Sequence, residues 1–303
     1  MNSSQEAPRG LFSLPGGSKI APMHWQTSRY RIALEQPRVM GIVNVTPDSF
    51  SDGGRFASTK HAVAHCEQLV AEGADILDIG GESSRPGMDP VPLDEELARV
   101  LPVLREAVKL AVPISVDTYK PEVMRAALDL GADIVNDIWA LQQPGAEAVV
   151  AQHPNCGVCL MHMHGEPRTM QRSPLQGDAV PQVLKFLRER TQALRARGVD
   201  AGRICWDPGI GFGKTVEQNF ALLARQEELV HDGYPVLAGW SRKSSLGTVT
   251  GLPVDQRAAP SVAAALLSVE RGARIVRVHD VRDTVAALKI FNAMQLQSVE
   301  KRT

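Results

Sequence analysis

The residues with most chemistry to offer are Asp117, Asn136 and Asp207, together with cations and hydroxyls at Arg85, Ser241, Lys243, Ser244, Arg277 and His279. Two carboxylates and an amide supply acceptors and donors that suit a flat heterocycle rich in N–H groups better than a sugar or a lipid. An arginine on a loop can grip phosphate through two parallel hydrogen bonds, and nearby ammonium and hydroxyl groups extend such a grip. The combination predicts a ring-binding floor beside a phosphate clamp. No Gly-x-Ser-x-Gly elbow and no His-Glu-x-x-His pair occurs, which argues against α/β-hydrolase and zinc-protease chemistry.

The stretch Asp207-Pro208-Gly209-Ile210-Gly211-Phe212-Gly213-Lys214 ties these groups to the backbone. Glycines at alternate positions suit neither a strand nor a helix, so the chain turns tightly there and lies bare against what sits above it. A nucleotide phosphate loop would need glycine at position 208, where Pro208 stands. Thr215 and Gln218 form a capping box for a helix from Val216, which leaves Asp207 at the tip of the strand before it. An ordinary turn with a solvated Asp is the bland reading of this stretch alone. Two more Gly/Pro-marked segments, 44–54 and 80–87, read as loops over the same rim, the first with the length of a lid and the second carrying Arg85.

Short apolar runs at 39–44, 76–79, 114–117, 134–137, 158–162, 203–207, 236–240 and 275–278 alternate with helical patterns. Pro121 opens one helix and Gly131 closes it; Pro260 and Gly272 bound another. Strand and helix in unbroken alternation predict a single α/β domain, a (β/α)8 TIM barrel over residues 37–297, with a partly flexible N-terminal arm at 1–36 and a charged tail at 298–303. A doubly wound open sheet is the alternative. Barrel strands are buried on both faces, so polar residues clustered at one end of them need a reason. Asn44, Asp117, Asn136, His162 and Asp207 fall near the C-terminal ends of their runs, and Lys243 and His279 just beyond theirs. Any one of them could merely cap a helix; together they mark the face where this fold builds active sites.

Composition sets outer limits. The chain has 303 residues, 44% apolar and 22% charged, with a formal net charge of -1, so it carries a sizeable core and no basic field for nucleic acid. Cys66, Cys156, Cys159 and Cys205 are too few and too irregular for a disulfide framework, which fits a reducing, cytoplasmic setting. Cys156, Cys159 and His162 are residue types that ligate zinc, but an extended strand would point Cys159 and His162 to opposite faces, and no second cysteine pair follows. No continuous apolar segment near the start suggests a signal peptide or a membrane span.

As an ordered set, these motifs resemble those of the dihydropteroate synthases, from about Pro37 to about Leu296. The resemblance rests on Asn44-Val45-Thr46-Pro47-Asp48-Ser49-Phe50-Ser51-Asp52-Gly53-Gly54, Gly80-Gly81-Glu82-Ser83-Ser84-Arg85-Pro86-Gly87, Ser115-Val116-Asp117-Thr118, Asn136-Asp137-Ile138, Met161-His162-Met163, the glycine stretch, Ser241-Arg242-Lys243-Ser244 and Arg277-Val278-His279-Asp280. It implies a folate-pathway transferase that condenses 6-hydroxymethyl-7,8-dihydropterin diphosphate with 4-aminobenzoate, assisted by Mg2+. By that analogy Asp117, Asn136, Asp207 and Lys243 hold the pterin. Asn44, Arg85, Arg277 and His279 bind the diphosphate, Asn44 as the metal contact. Ser84, Pro86, Phe212 and Ser244 line the aminobenzoate site, where sulfonamides compete. Asn44, Asp117, Lys243, Arg277 and His279 are the expected catalytic set, in a homodimer whose two loops close over the substrates. A related pterin-binding methyltransferase and a non-catalytic paralogue share parts of this pattern. Ser84 stands where the family usually has Thr, and His164 where it often has Gln.

Overall fold

The computed structural model describes residues 23–45, 54–83 and 87–300. Residues 46–53 of the lid expected at 44–54, most of the N-terminal arm, and residues 301–303 lie outside the described residues. So do Ser84, Arg85 and Pro86.

The chain first makes a small antiparallel hairpin, β1 (His24–Gln26) and β2 (Arg31–Ala33). No alternation in the sequence announced it, because three residues are too few to show a period. The eight expected strands follow as β3 (Arg38–Asn44), β4 (Ile76–Gly80), β5 (Ile114–Asp117), β6 (Ile134–Asp137), β7 (Gly157–Met161), β8 (Ile204–Asp207), β9 (Leu237–Ala238) and β10 (Ile275–Val278). They pair in parallel in the order β8-β7-β6-β5-β4-β3-β10-β9. A parallel bridge from Trp206 to Val236 joins the two ends and closes a (β/α)8 TIM barrel. Strand β9 is shorter than its apolar run suggests, with Val236 making only a bridge and Gly239 and Trp240 outside the ladder.

Helices α1 (Gly54–Ala71), α2 (Leu93–Ala107), α3 (Pro121–Asp129), α4 (Ala146–Gln152), α5 (Ala179–Ala196), α6 (Val216–Ala224), α7 (Glu227–Val230), α8 (Ser244–Thr250), α9 (Ala258–Glu270) and α10 (Val281–Glu300) occupy the connections. Their local signals match the chemistry of helix ends. Pro121 opens α3, and Gly131 beyond it takes φ +99°, which a side chain would resist. The Thr215 hydroxyl accepts from Gln218 N–H while the Gln218 side chain accepts from Thr215 N–H, so the predicted capping box starts α6. Helix α2 buries Val100, Val103, Leu104 and Ala107, one helical stripe, against the sheet.

Two apolar layers result. The larger lies between strands and helices. The smaller fills the barrel interior with Met40, Ile76, Ile134, Cys159, Cys205, Leu237 and Ile275, and the hairpin plugs it from below with Trp25, Ile32 and Leu34. Trp25 is fully buried and donates its indole N–H to Arg203 O at 2.9 Å. Asp133, also fully buried, accepts from Arg29 N (3.0 Å), Nε (3.0 Å) and Nη2 (2.6 Å) and from Ile114 N (2.9 Å), tying the hairpin turn to the barrel base. Removing the acceptor strands all these donors, so Asp133→Ala should lower the unfolding free energy by about 3 kcal/mol. Arg29→Ala leaves Asp133 its backbone donors and should cost only about 1 kcal/mol. Urea melts of both variants check this, and equal losses would show that the tie is not centred on Asp133.

Candidate active site

At the C-terminal mouth of the barrel lies a cavity of about 400 Å³. Alternation along the strands decides what faces it, since every second residue points inward. From alternate strands β4, β6, β8 and β10 come Asp78, Asn136, Asp207 and Arg277, one polar layer above the apolar plug. Arg277 Nε donates to Asp78 Oδ2 at 2.6 Å, Arg277 Nη2 to Asp117 Oδ2 at 2.6 Å, and Asn136 Nδ2 to Asp78 Oδ2 at 3.0 Å. Asp78 is fully buried, and a buried carboxylate is tolerable only when a cation and hydrogen bonds compensate it. Burial works to lower the pKa of Arg277, but the charges of Asp78 and Asp117 outweigh it and hold the guanidinium charged.

Asp117 stands at the end of β5. Burial pushes it up to about 7, against the opposing pull of Arg277. As the partner of Arg277 it presents a carboxylate to the cavity, which is apt for the N–H edge of a heterocycle. Asp207 is also raised by burial, opposed by the Gly209 N–H that donates to its Oδ1 at 2.7 Å and by Lys243 and Arg277.

The glycine stretch forms one wall. A side chain on Gly209 would put Cβ 1.8 Å from His162 O, and one on Gly213 would put it 2.1 Å from His164 O. The two loops thus touch backbone to backbone, and Gly209, Gly211 and Gly213 all take positive φ. Asn219 Oδ1 accepts from Gly211 N at 2.9 Å, and Lys214 Nζ donates to Gly209 O, Phe212 O and His162 O. Phe212 faces the cavity with its ring centroid 4.2 Å from Lys243 Nζ, a cation–π contact.

The opposite wall is cationic and hydroxylic. Ser241 Oγ lies 2.9 Å from His279 Nδ1 and accepts from His279 N at 3.1 Å, fixing the imidazole at the mouth. Arg242, held at φ +59°, is clamped by both oxygens of Asp280 at 2.6 and 3.2 Å. Glu82, beside the cavity, is itself anchored: its Oε2 accepts from Val91 N at 3.0 Å and Lys120 Nζ at 2.6 Å, and Lys120 also pairs with the buried Glu96.

Of the residues singled out from sequence, Asn44, Asp117, Asn136, Asp207, Phe212, Lys243, Ser244, Arg277 and His279 all line this one cavity. Ser84, Arg85 and Pro86 fall outside the described residues. His162 does not join them. It packs edge-on against Phe186 of α5 at 5.0 Å, and burial drives its pKa down to about 2. Cys159 sits in the barrel interior and Cys156 in the outer layer, and among the described residues no three His, Cys, Asp or Glu side chains could hold a metal ion. Sequence reasoning passed over Asp78, although a lone acid inside the run Ile76-Leu77-Asp78-Ile79 is the kind of buried charge that demands a partner. It also missed Glu82 and Arg257, whose solvated-loop appearance carries no signal.

A barrel mouth with carboxylates and an amide on its floor and cations on its wall is the frame of a pterin-binding enzyme, and the family model described as pterin binding enzyme matches residues 40–279. A dihydropteroate synthase of Neisseria meningitidis serogroup B is 50% identical over 276 residues, 89% of this chain and 97% of that protein. The chain belongs to the dihydropteroate synthase family. Its fold superposes on the Xanthomonas albilineans dihydropteroate synthase with 4-aminobenzoic acid at a TM-score of 0.86, with 50% identity and 91% and 99% of the two chains covered. For the Burkholderia cenocepacia enzyme complexed with 7,8-dihydropteroate the TM-score is 0.84, with 53% identity over 92% of this chain and 99% of that one.

Arg277 sits deeper than a rim residue, so its loss has two consequences. Arg277→Ala leaves Asp78 buried without its cation and should cost about 3 kcal/mol of stability. Lys243→Ala, on the wall, should stay within about 1 kcal/mol of the parent. Chemical denaturation of the two variants side by side tests this; an Arg277→Ala protein as stable as Lys243→Ala would remove the structural role of the floor pair.

Proposed function

We propose that this protein condenses 6-hydroxymethyl-7,8-dihydropterin diphosphate with 4-aminobenzoate, forming 7,8-dihydropteroate and releasing diphosphate. The observation that carries the reading is the cavity itself: Asp117, Asn136 and Asp207 on its floor, with Lys243, Arg277 and His279 around them. Asp117, Asn136 and Asp207 recognise the pterin edge, and Lys243 bridges ring and wall. Arg277 keeps Nε and Nη2 on Asp78 and Asp117, so it meets the diphosphate with what remains of its fork, beside His279 and Ser241.

The bond broken joins the pterin methylene to a diphosphate oxygen, and its electron pair leaves with the diphosphate. Cations around the leaving group stabilise the developing negative charge, while the electron-rich ring shares the positive charge left on the methylene. The arylamine nitrogen then attacks that carbon and sheds a proton. A weakly basic amine needs no strong general base for this step, in keeping with a site built of carboxylates and cations. Phe212 and Ser244 would flank the incoming amine, with Ser84 and Pro86 assigned by family resemblance.

Magnesium belongs to this proposal. Asn44 offers a hard oxygen at the cavity, and among the described residues no group of His, Cys, Asp and Glu could hold a metal by itself, so the ion would take its remaining ligands from the substrate's phosphates and water. When bound there, the ion would neutralise charge on the departing diphosphate.

Two features of the surroundings extend the reading. Leu267 on α9 and Ile290 and Met294 on α10 are 44%, 74% and 52% exposed on helices packed side by side, apolar side chains that a homodimer would cover. All four cysteines are free, which agrees with the cytoplasm, and among the described residues no helix is long and apolar enough to cross a membrane.

Purified protein given dihydropterin diphosphate and magnesium should release diphosphate in a manner dependent on 4-aminobenzoate, with dihydropteroate as product. Lys243→Ala should lower kcat/KM about 100-fold. Pterin binding without turnover would move the chain to the non-catalytic reading. In light scattering the parent should run at twice the chain mass, and Ile290→Lys should shift it toward monomer; a parent that is monomeric at high concentration ends the dimer proposal.

A further inference from the structure

Lys214 ends the glycine stretch, yet nothing in the chemistry above uses it. It is 2% exposed and forms no ion pair among the described residues. Its ammonium instead donates to three main-chain carbonyls: Gly209 O at 2.8 Å, Phe212 O at 3.1 Å and His162 O at 3.2 Å. An ammonium has three donors and no acceptor capacity, so the set is filled without a carboxylate. Two of the carbonyls belong to the loop after β8 and the third to the end of β7. The bonds therefore join two loops whose backbones already meet at Gly209 and Gly213.

We propose that Lys214 is a positioning residue for the aminobenzoate half of the site, welding the β8 loop to β7 so that the Phe212 ring is held under Lys243.

The selectivity follows from where the weld acts. Phe212 lies two residues before Lys214 and its own carbonyl is one of the three acceptors, so its backbone cannot shift while the ammonium stays in place. The floor groups are anchored elsewhere. Asn136 is on β6, bonded to Asp78, and Asp117 is on β5, bonded to Arg277. Asp207 is fixed by the sheet, where it pairs with Met161 and its carbonyl accepts from His162 N at 3.0 Å. Loss of the weld thus frees the Phe212 wall first and reaches the pterin floor only where Asp207 Oδ1 accepts from Gly209 N at 2.7 Å. Burial pushes Lys214 down to about 7, with Asp207 opposing and Lys243 adding to the shift, so it is the three carbonyl acceptors, more than a neutral amine has donors for, that favour the ammonium here. A merely space-filling position would be served by an apolar side chain of the same length.

The inference rests on the synthase reading, and the experiment separates the two. Parent, Lys214→Met and Lys214→Gln are assayed with each substrate varied in turn. Lys214→Met keeps the length and loses all donors. Its KM for 4-aminobenzoate should rise at least tenfold, while KM for the pterin diphosphate and kcat at saturation stay within about threefold of the parent. Lys214→Gln keeps two N–H donors and should fall between, and it serves alone if the Met variant does not fold. Unaltered constants in a folded variant, or a parallel fall in every constant, would overturn the positioning role while the parent's turnover upholds the synthase reading. A parent that makes no dihydropteroate sinks that reading and this inference with it.

Discussion

Arg277 projects from β10 into the middle of a barrel, where an unpaired charge would be untenable, and the polar site above the apolar plug follows from how that charge is met. Asp78 from β4 and Asp117 from β5 take two of its nitrogens, and Asn136 from β6 takes up the same oxygen of Asp78. Four strands are thereby coupled, β10, β4 and β5 directly through the guanidinium and β6 through Asp78. In a medium of low polarity such a cluster is stable only when every member is present, which gives the floor its rigidity. It also fixes the direction in which Asp117 faces the cavity, while burial raises the pKa of that carboxyl against the pull of Arg277.

The walls are set by a different constraint, the close approach of backbones. At Gly209 and Gly213 the loop after β8 lies against the segment after β7 at distances that exclude any side chain. This contact turns Phe212 and Ile210 into the cavity and Lys214 away from it, so one short stretch supplies both a lining and its own support. Neighbouring turns use side chains for the same purpose, as where Asn219 joins Gly211 to Ser245 and Asp280 clamps Arg242.

The two ends of the barrel divide the work. At the lower end the hairpin inserts Trp25 and Ile32 and binds Asp133 through Arg29, which seals the interior and contributes stability. At the upper end the same strands carry polar groups that cost stability and make a pocket. A condensation that separates charge needs both: a dry, stiff base and, above it, carboxylates, an amide and cations held at fixed distances.

Alternating apolar runs and helical stretches were enough to specify eight parallel strands and their order, because a crossover helix between neighbours leaves few other ways to bury both faces of each strand. Polar residues at the strand ends likewise located Asn44, Asp117, Asn136, Asp207, Lys243 and His279, since the (β/α)8 arrangement brings those ends together. What linear order could not reveal was which way a side chain turns or what meets it across the barrel. His162 sits at a strand end like the others, yet alternation sends it outward to Phe186. Asp78 lies inside an apolar run, and its partner is 199 residues away in sequence. The hairpin is too short to show a period, and Lys214 looks like any loop lysine until three carbonyls from two loops converge on it. Pattern records which faces are buried; only tertiary closure decides which buried groups find one another.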